Sequence, residues 1–358
     1  MPILTKVDEQ FGFVSRFNPK NGAYIRSNVY IDGKDSGKDP FMASMPELLD
    51  IGIMGSCDHA AQCRVGCYQS GSTVREPNMS FQDYKMLIDQ CRGSVFQVAL
   101  GGRGDPNKHP EFEQILEYSR KSQIVPNYTT SGWMLTDKEI YLTRRYCGAV
   151  AVSWYRQDYT DTAIRRFIEA GCRTNVHFVL SRDSIDEAFE LVTSPDKFPV
   201  LTGINAVVFL LHKPVGQGSR NAMLSPDDIR VQKLFRKTAT RLPFKIGFDS
   251  CTVPALLTKT RVNPVMLDSC EGARFSAYIS AGLEMTPCSF DRISQYSVDL
   301  RSCSIRDAWN SQAFERFRKP FRTACPDCRT REHCMGGCPL MPDIVLCNDE
   351  VRTDASTM

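Results

Sequence analysis

From residue 47 the chain alternates short apolar runs with amphipathic ones. ELLDIGIMGS reads as a buried strand, FQDYKMLIDQCR as a helix and SVFQVALGG as the next strand. PEFEQILEYSRKS is helical and IVPNYTTSG extended, TDKEIYLTRRYC helical and GAVAVSWY extended, TDTAIRRFIEAG helical and RTNVHFVLS extended. SIDEAFELVT, GINAVVFLL and PDDIRVQKLFRKTATRL complete the series. Six strand–helix alternations at this spacing imply a parallel sheet with covering helices. The expected fold is α/β, a partial (β/α)6 barrel, an open version of the eight-fold one. In such sheets the loops after the strand C-termini carry the chemistry.

The flanking regions differ. Residues 1–46 are polar and turn-rich, and Asn21-Gly22 before AYIRSNVYI predicts a short hairpin. After about residue 247 cysteine, proline and glycine take over, with one clear helix, IRDAWNSQAFERFR. A region this poor in regular core needs another source of stability, which bound metal supplies. The predicted division is a hairpin extension over 1–46, the barrel over 47–245 and a small cysteine-rich domain over 246–358.

Composition narrows the function classes. The net charge of +3 over 358 residues gives no argument for nucleic acid or a membrane surface as partner. No apolar run reaches the roughly 18 residues a membrane helix needs, and MPILTKVDEQFGF lacks the apolar centre of a secretion signal. The default location is a reducing cytoplasm, where disulfides are disfavoured. The 15 cysteines therefore point to metal binding or redox chemistry. Cys91, Cys147 and Cys172 lie in or beside apolar segments and read as inert core thiols.

The loop after the first barrel strand carries Cys57, Cys63 and Cys67, spaced CX5CX3C. Three thiolates on one loop at the C-terminal edge of a sheet suit a [4Fe–4S] cluster with one iron left open for substrate chemistry. The competing reading is a structural zinc site with His59 as fourth ligand.

This arrangement resembles the radical S-adenosylmethionine superfamily, which carries a three-cysteine loop after its first barrel strand. The resemblance implies that the open iron binds the amino and carboxylate groups of S-adenosylmethionine, and that cleavage of the sulfonium releases a 5′-deoxyadenosyl radical for hydrogen abstraction. The spacing departs from the family's usual three and two residues, and Tyr68 follows the third cysteine where the family has an aromatic before it. Other motifs come in the family's order. Gly101-Gly102-Arg103-Gly104-Asp105-Pro106 stands where the family has Gly-Gly-Glu-Pro, with Asp105 in place of the glutamate. Thr129-Thr130-Ser131-Gly132 resembles its Thr-Asn-Gly turn, and Ser153 a serine that contacts ribose or carboxylate. Asn175 or His177 would face the same pocket, and Gly216 in His212–Gly218 resembles a glycine that touches adenine. By the resemblance, the cofactor-binding residues are Gly101, Gly102, Asp105, Thr130, Ser153, Asn175 and Gly216.

A second group comprises Cys270, Cys288, Cys325, Cys328, Cys334, Cys338 and Cys347, with a compact CX2CX5CX3C run inside it. Seven cysteines in this order, after a helix containing Trp309-Asn310, resemble the SPASM domain, which carries auxiliary [4Fe–4S] clusters. The resemblance implies one auxiliary cluster on Cys325, Cys328, Cys334 and Cys347, and another on Cys270, Cys288 and Cys338. The latter is completed by Cys251 or Cys303, or left open. Two structural zinc sites are the alternative.

The family resemblance implies an oxidoreductase that modifies a ribosomally made peptide or a protein, by crosslinking, oxidation or epimerisation, with electrons from a flavodoxin or ferredoxin. A radical enzyme acting on a small molecule and a non-catalytic, metal-stabilised binding module are the alternatives. The N-terminal residues are short for a complete leader-peptide domain, so a partner chain would supply recognition. Asp249 in GFDSC is the candidate for taking a substrate proton, and Trp154 and Tyr155 would line the substrate site.

Overall fold

Alternation of buried and exposed residues decides the first strands. In β1 (Leu4–Asp8), β2 (Phe13–Phe17) and β3 (Tyr24–Arg26) Phe13, Ser15 and Phe17 point inward, while Thr5, Val7, Arg16 and Ile25 point out. In this computed structural model, which describes residues 2–63, 65–238 and 242–347, the three pair antiparallel in that order. The Asn21-Gly22 turn joins β2 to β3, with Gly22 at φ 75° donating to the Asn18 carbonyl at 2.8 Å. A two-residue ribbon of β4 (Tyr30–Ile31) and β5 (Lys34–Asp35) follows. Glu47 ties this small sheet to the barrel: it accepts from Ser15, Tyr24 and Arg26, and Arg26 reaches on to Glu271 at 2.5 Å.

The six predicted units then run β6 (Leu48–Met54), α1 (Phe81–Cys91), β7 (Gln97–Gly102), α2 (Phe112–Lys121), β8 (Val125–Thr130) and α3 (Asp137–Tyr146). They continue with β9 (Val150–Ser153), α4 (Asp158–Glu169), β10 (Thr174–Leu180), α5 (Ile185–Thr193), β11 (Ala206–Leu211) and α6 (Ile229–Lys237). The last predicted helix ran to residue 242, and residues 239–241 lie outside the described ones.

The parallel sheet does not stop at six strands. β12 (Lys245–Phe248) joins beyond β11, and the predicted boundary at 245 falls on its first residue. After α7 (Val253–Lys259), β13 (Ser276–Ile279) pairs parallel with β6 at the opposite edge, and β14 (Glu284–Thr286) and β15 (Val298–Asp299) extend it antiparallel. The whole is a 10-stranded sheet ordered β12-β11-β10-β9-β8-β7-β6-β13-β14-β15.

Strand periodicity divides the residues between two environments. Leu49, Ile51, Ile53, Val98, Leu100, Val176, Phe178, Val207 and Phe209 face the helices and are almost wholly buried. They meet Leu87, Ile88, Ile115, Leu116, Ile164, Phe167, Leu191 and Leu234 in one core. The opposite positions, Asp50, Ala99, Gly101, Thr129, Ser153, His177 and Tyr278 among them, line a cavity inside the curved sheet.

The single predicted helix over residues 305–318 is two, α8 (Ile305–Trp309) and α9 (Gln312–Thr323). The break is a capping event: Ser311 leaves helical geometry and its hydroxyl accepts from the Phe314 N–H. The helix pair is anchored by buried polar contacts. Trp309 donates its indole N–H to the Ala43 carbonyl at 2.9 Å, and Arg318 donates to the carbonyls of Ala273 (2.6 Å) and Trp309 (2.8 Å). A short α10 (Arg331–Cys334) follows, and the predicted C-terminal segment 348–358 lies outside the described residues. No helix among the described residues is long and apolar enough to cross a membrane.

Candidate active site

The chain leaves β6 at the sheet's C-terminal edge and immediately forms the loop bearing Cys57, Cys63 and Cys67. Close backbone passage shapes this loop. A Cβ at Gly104 would lie 2.4 Å from the Ser56 carbonyl, so the β7 loop can pass the cysteine loop only with glycine there. On the other side, the Gln217 N–H donates to the Cys67 carbonyl at 3.0 Å. The three thiols interact electrostatically, and burial pushes the Cys57 thiol up. His59 lies flat on Trp133, with ring centroids 4.9 Å apart, and meets Tyr159 edge-on.

These thiols open into a cavity of about 2050 Å³. Gly101, Gly102, Asp105, Thr130 and Ser153, which the resemblance implies as cofactor-binding, line it, and so do Trp154, Tyr155 and Asp249. Asp105 is already engaged: its two oxygens accept the Ser131 N–H (2.8 Å) and O–H (2.6 Å), pinning the β7 loop to the β8 loop. Two predicted residues sit elsewhere. Asn175 shares the inward face with His177 but lies a layer below, where its amide oxygen accepts from Asn205 at 2.7 Å. Gly216, at φ 60°, packs against the cysteine loop; a Cβ there would be 2.3 Å from the Tyr68 carbonyl.

The remaining cysteines form two groups. Cys334 interacts with Cys325, Cys328 and Cys347, the set that the resemblance implies. Cys270, Cys288 and Cys338 gather with Cys251, whose thiol hydrogen-bonds to Cys338. Of the two cysteines left open for this group, Cys251, which follows β12, is the one that lies beside it. Cys303 instead faces the Asp299 carbonyl at 3.5 Å.

The donor chemistry fits iron–sulfur clusters. Backbone N–H groups point at the sulfurs of Cys57, Cys270, Cys288, Cys334 and Cys338, donated by His59, Gly272, Phe290, Gly336 and Met341. Such bonds stabilise thiolates and tune clusters. Burial opposes ionisation of the same thiols, raising Cys270 to about 12 and Cys334 to about 11, so a metal centre is what would draw their protons off. Among the described residues no three His, Cys, Asp or Glu side chains close on a point that would hold a single metal ion.

Sequence reasoning missed two cavity residues. Asp50, in the middle of β6, has no hydrogen-bond partner among the described residues, and burial raises its carboxyl to about 7. Lys213, buried beside the second thiol group, forms an ion pair with Asp249. His177 faces the same space and burial lowers it to about 4, so its ring is neutral at physiological pH.

No protein-family model matches the chain. It is 22% identical over 316 residues to the mycofactocin maturase MftC of Mycobacterium tuberculosis, covering 81% of this chain and 79% of that protein. It is 22% identical over 339 residues to the AdoMet-dependent heme synthase of Methanosarcina barkeri, covering 83% and 95%. Its fold matches Streptococcus suis SuiB bound to S-adenosylmethionine with a TM-score of 0.72 over 98% of both chains, at 16% identity. SuiB bound to its precursor peptide SuiA matches with a TM-score of 0.71 at 15% identity. Sequence relatives, fold and thiol grouping agree: in sequence the chain is similar to S-adenosylmethionine-dependent enzymes of this kind, and it shares the fold of SuiB, as the resemblance to radical S-adenosylmethionine enzymes with a SPASM-type C-terminal region implies.

Proposed function

We propose that this enzyme modifies a peptide or protein side chain by radical chemistry. The observation that carries the reading is one cavity reached by two thiol groups. Cys57, Cys63 and Cys67 open on it, and so do Cys251, Cys270 and Cys288. Its 2050 Å³ exceeds the roughly 300–1,000 Å³ of an ordinary small-molecule site and leaves room for a substrate segment beside a cofactor. SuiB, which binds the precursor peptide SuiA, and the maturase MftC support the same reading.

The proposed ligand sets are Cys57, Cys63 and Cys67 for a cluster with an open iron, Cys251, Cys270, Cys288 and Cys338 for one auxiliary cluster, and Cys325, Cys328, Cys334 and Cys347 for a second. S-adenosylmethionine bound at the first of these would supply the radical chemistry that abstracts hydrogen from the substrate. The protein's own groups do the rest. Gly101 and Gly102 let the backbone approach a ligand, and Asp105 holds the β8 loop so that Thr130 and Ser153 face the cavity. Trp154 and Tyr155 line the cavity beside Ser153. In this division residues 47–245 form the radical-generating unit and 246 onward the auxiliary-cluster unit, with a flavodoxin or ferredoxin as donor.

Anaerobically reconstituted protein should bind about 12 iron and 12 sulfide per chain, the content of three cubane clusters. After reduction it should convert S-adenosylmethionine to 5′-deoxyadenosine, and a variant with Cys57, Cys63 and Cys67 all changed to alanine should not. Full iron loading without 5′-deoxyadenosine, alone or with peptide substrates, would remove the radical reading.

A further inference from the structure

Lys213 and Asp249 form an ion pair set against one thiol group. Lys213 lies just past β11 and Asp249 just past β12, with side chains 5% and 16% exposed. The ammonium donates to Asp249 Oδ2, which also accepts the Leu211 N–H at 3.0 Å. Asp249 Oδ1 is buried with no partner among the described residues. The ammonium also sits 4.7 Å from the centre of the Phe290 ring. Both anchors lead to sulfur: Asp249 is two residues before Cys251, and the Phe290 N–H points at the Cys288 thiol. Of the two charges, Lys213 acts more strongly on Cys251, and it acts on Cys288 as well.

Stability alone does not account for such a pair. Desolvating two charges offsets most of their attraction, and apolar residues of similar volume often hold a fold as well. A fixed positive charge next to an iron–sulfur cluster has a definite effect. It stabilises the reduced form, which carries one more negative charge, and raises the potential, the more so where the dielectric is low. We infer that Lys213 raises the reduction potential of the cluster held by Cys251, Cys270, Cys288 and Cys338, and that Asp249 opposes it, so that the pair sets the ease with which this cluster accepts an electron. The inference rests on the cluster assignment proposed above.

Reconstituted holoprotein would be titrated with dithionite under anaerobiosis and followed by electron paramagnetic resonance, the signal of interest being the one that Cys251→Ser alters. Lys213→Met leaves Asp249 uncompensated and should shift that midpoint down. Asp249→Asn leaves the ammonium uncompensated and should shift it up. Lys213→Arg keeps the charge and should restore the wild-type value, while the other two midpoints stay fixed in every variant. Shifts of the same sign in Lys213→Met and Asp249→Asn, or no shift in either, would overturn the inference. If Lys213→Met fails to assemble clusters, Asp249→Asn and Lys213→Arg still decide it. If Cys251→Ser leaves iron content and every signal unchanged, the cluster assignment itself fails, which is a different result.

Discussion

Replacing Asp50 by asparagine should stabilise the protein, and more so as pH rises. Asp50 stands in β6 between Ala99 of β7 and Tyr278 of β13, facing the cavity but otherwise enclosed by protein, and no donor among the described residues reaches it. Burial raises its carboxyl to about 7, against about 3.9 in an unfolded chain. A folded-state value above the unfolded one means that the native state holds its proton longer. The contribution is neutral below about pH 4 and turns progressively unfavourable as pH rises toward 7, where the unfolded chain is ionised and the folded one resists. A difference of about 3 units corresponds to roughly 4 kcal/mol at the alkaline plateau, with about 3 kcal/mol of it developing between pH 5 and pH 8. Asparagine has the same shape and no charge to desolvate. Urea unfolding of both reconstituted proteins, compared pairwise from pH 5 to pH 8 without oxygen, measures this, because the clusters are common to both. The gain of Asp50→Asn over wild type should grow by about 3 kcal/mol across that range. A pH-independent difference, or a wild type that gains on the variant as pH rises, would show that the carboxylate has a partner and refute the reasoning.

Other outcomes follow from the same geometry. Gly216→Ala forces a Cβ within 2.3 Å of the Tyr68 carbonyl at a positive φ, so the cysteine loop must shift; iron retention by the first cluster and 5′-deoxyadenosine yield should both fall, while the auxiliary signals persist. Arg318→Met leaves the carbonyls of Ala273 and Trp309 buried without donors and should lower stability by about 2–4 kcal/mol, read by urea unfolding. Iron removal by a chelator should expose residues beyond 260 to limited proteolysis before the helices of the barrel, since β13, β14 and β15 are only two to four residues long and bound metal is proposed to hold this region together.

The barrel was legible because its strands carry near-continuous apolar runs and its helices amphipathic ones. Each of the six alternations between Leu48 and Lys237 appears where the pattern put it. β12 to β15 were not legible, since runs as short as KIGF or EMT become strands only by pairing with an existing edge. The resemblance offered Asn175 or His177 for the pocket without deciding between them; His177 lines the cavity, while Asn175 accepts from Asn205 below it. The resemblance aimed Gly216 at adenine, whereas in the structure it lies against the backbone of the cysteine loop. Cys251 lies 19 residues before Cys270, too far for spacing to link them; the sheet order does so. Asp50 left a readable trace, a lone acid inside the apolar run of β6.

The order of the sheet would give the cluster proposed on Cys251, Cys270, Cys288 and Cys338 a mechanical role. β12 is one end of the ten strands, while β13 and β14 lie toward the other. Cys251 leaves the first, and Cys270 and Cys288 flank the second pair, so these thiols come together only because the curved sheet brings its ends round to each other. The cluster proposed for them would be a clasp across the seam of an unclosed barrel. Oxidative loss of that iron would therefore do more than remove a redox centre. It would unfasten the wall of the chamber in which the substrate reacts, so that damage to the cluster and leakage of the reaction would occur together.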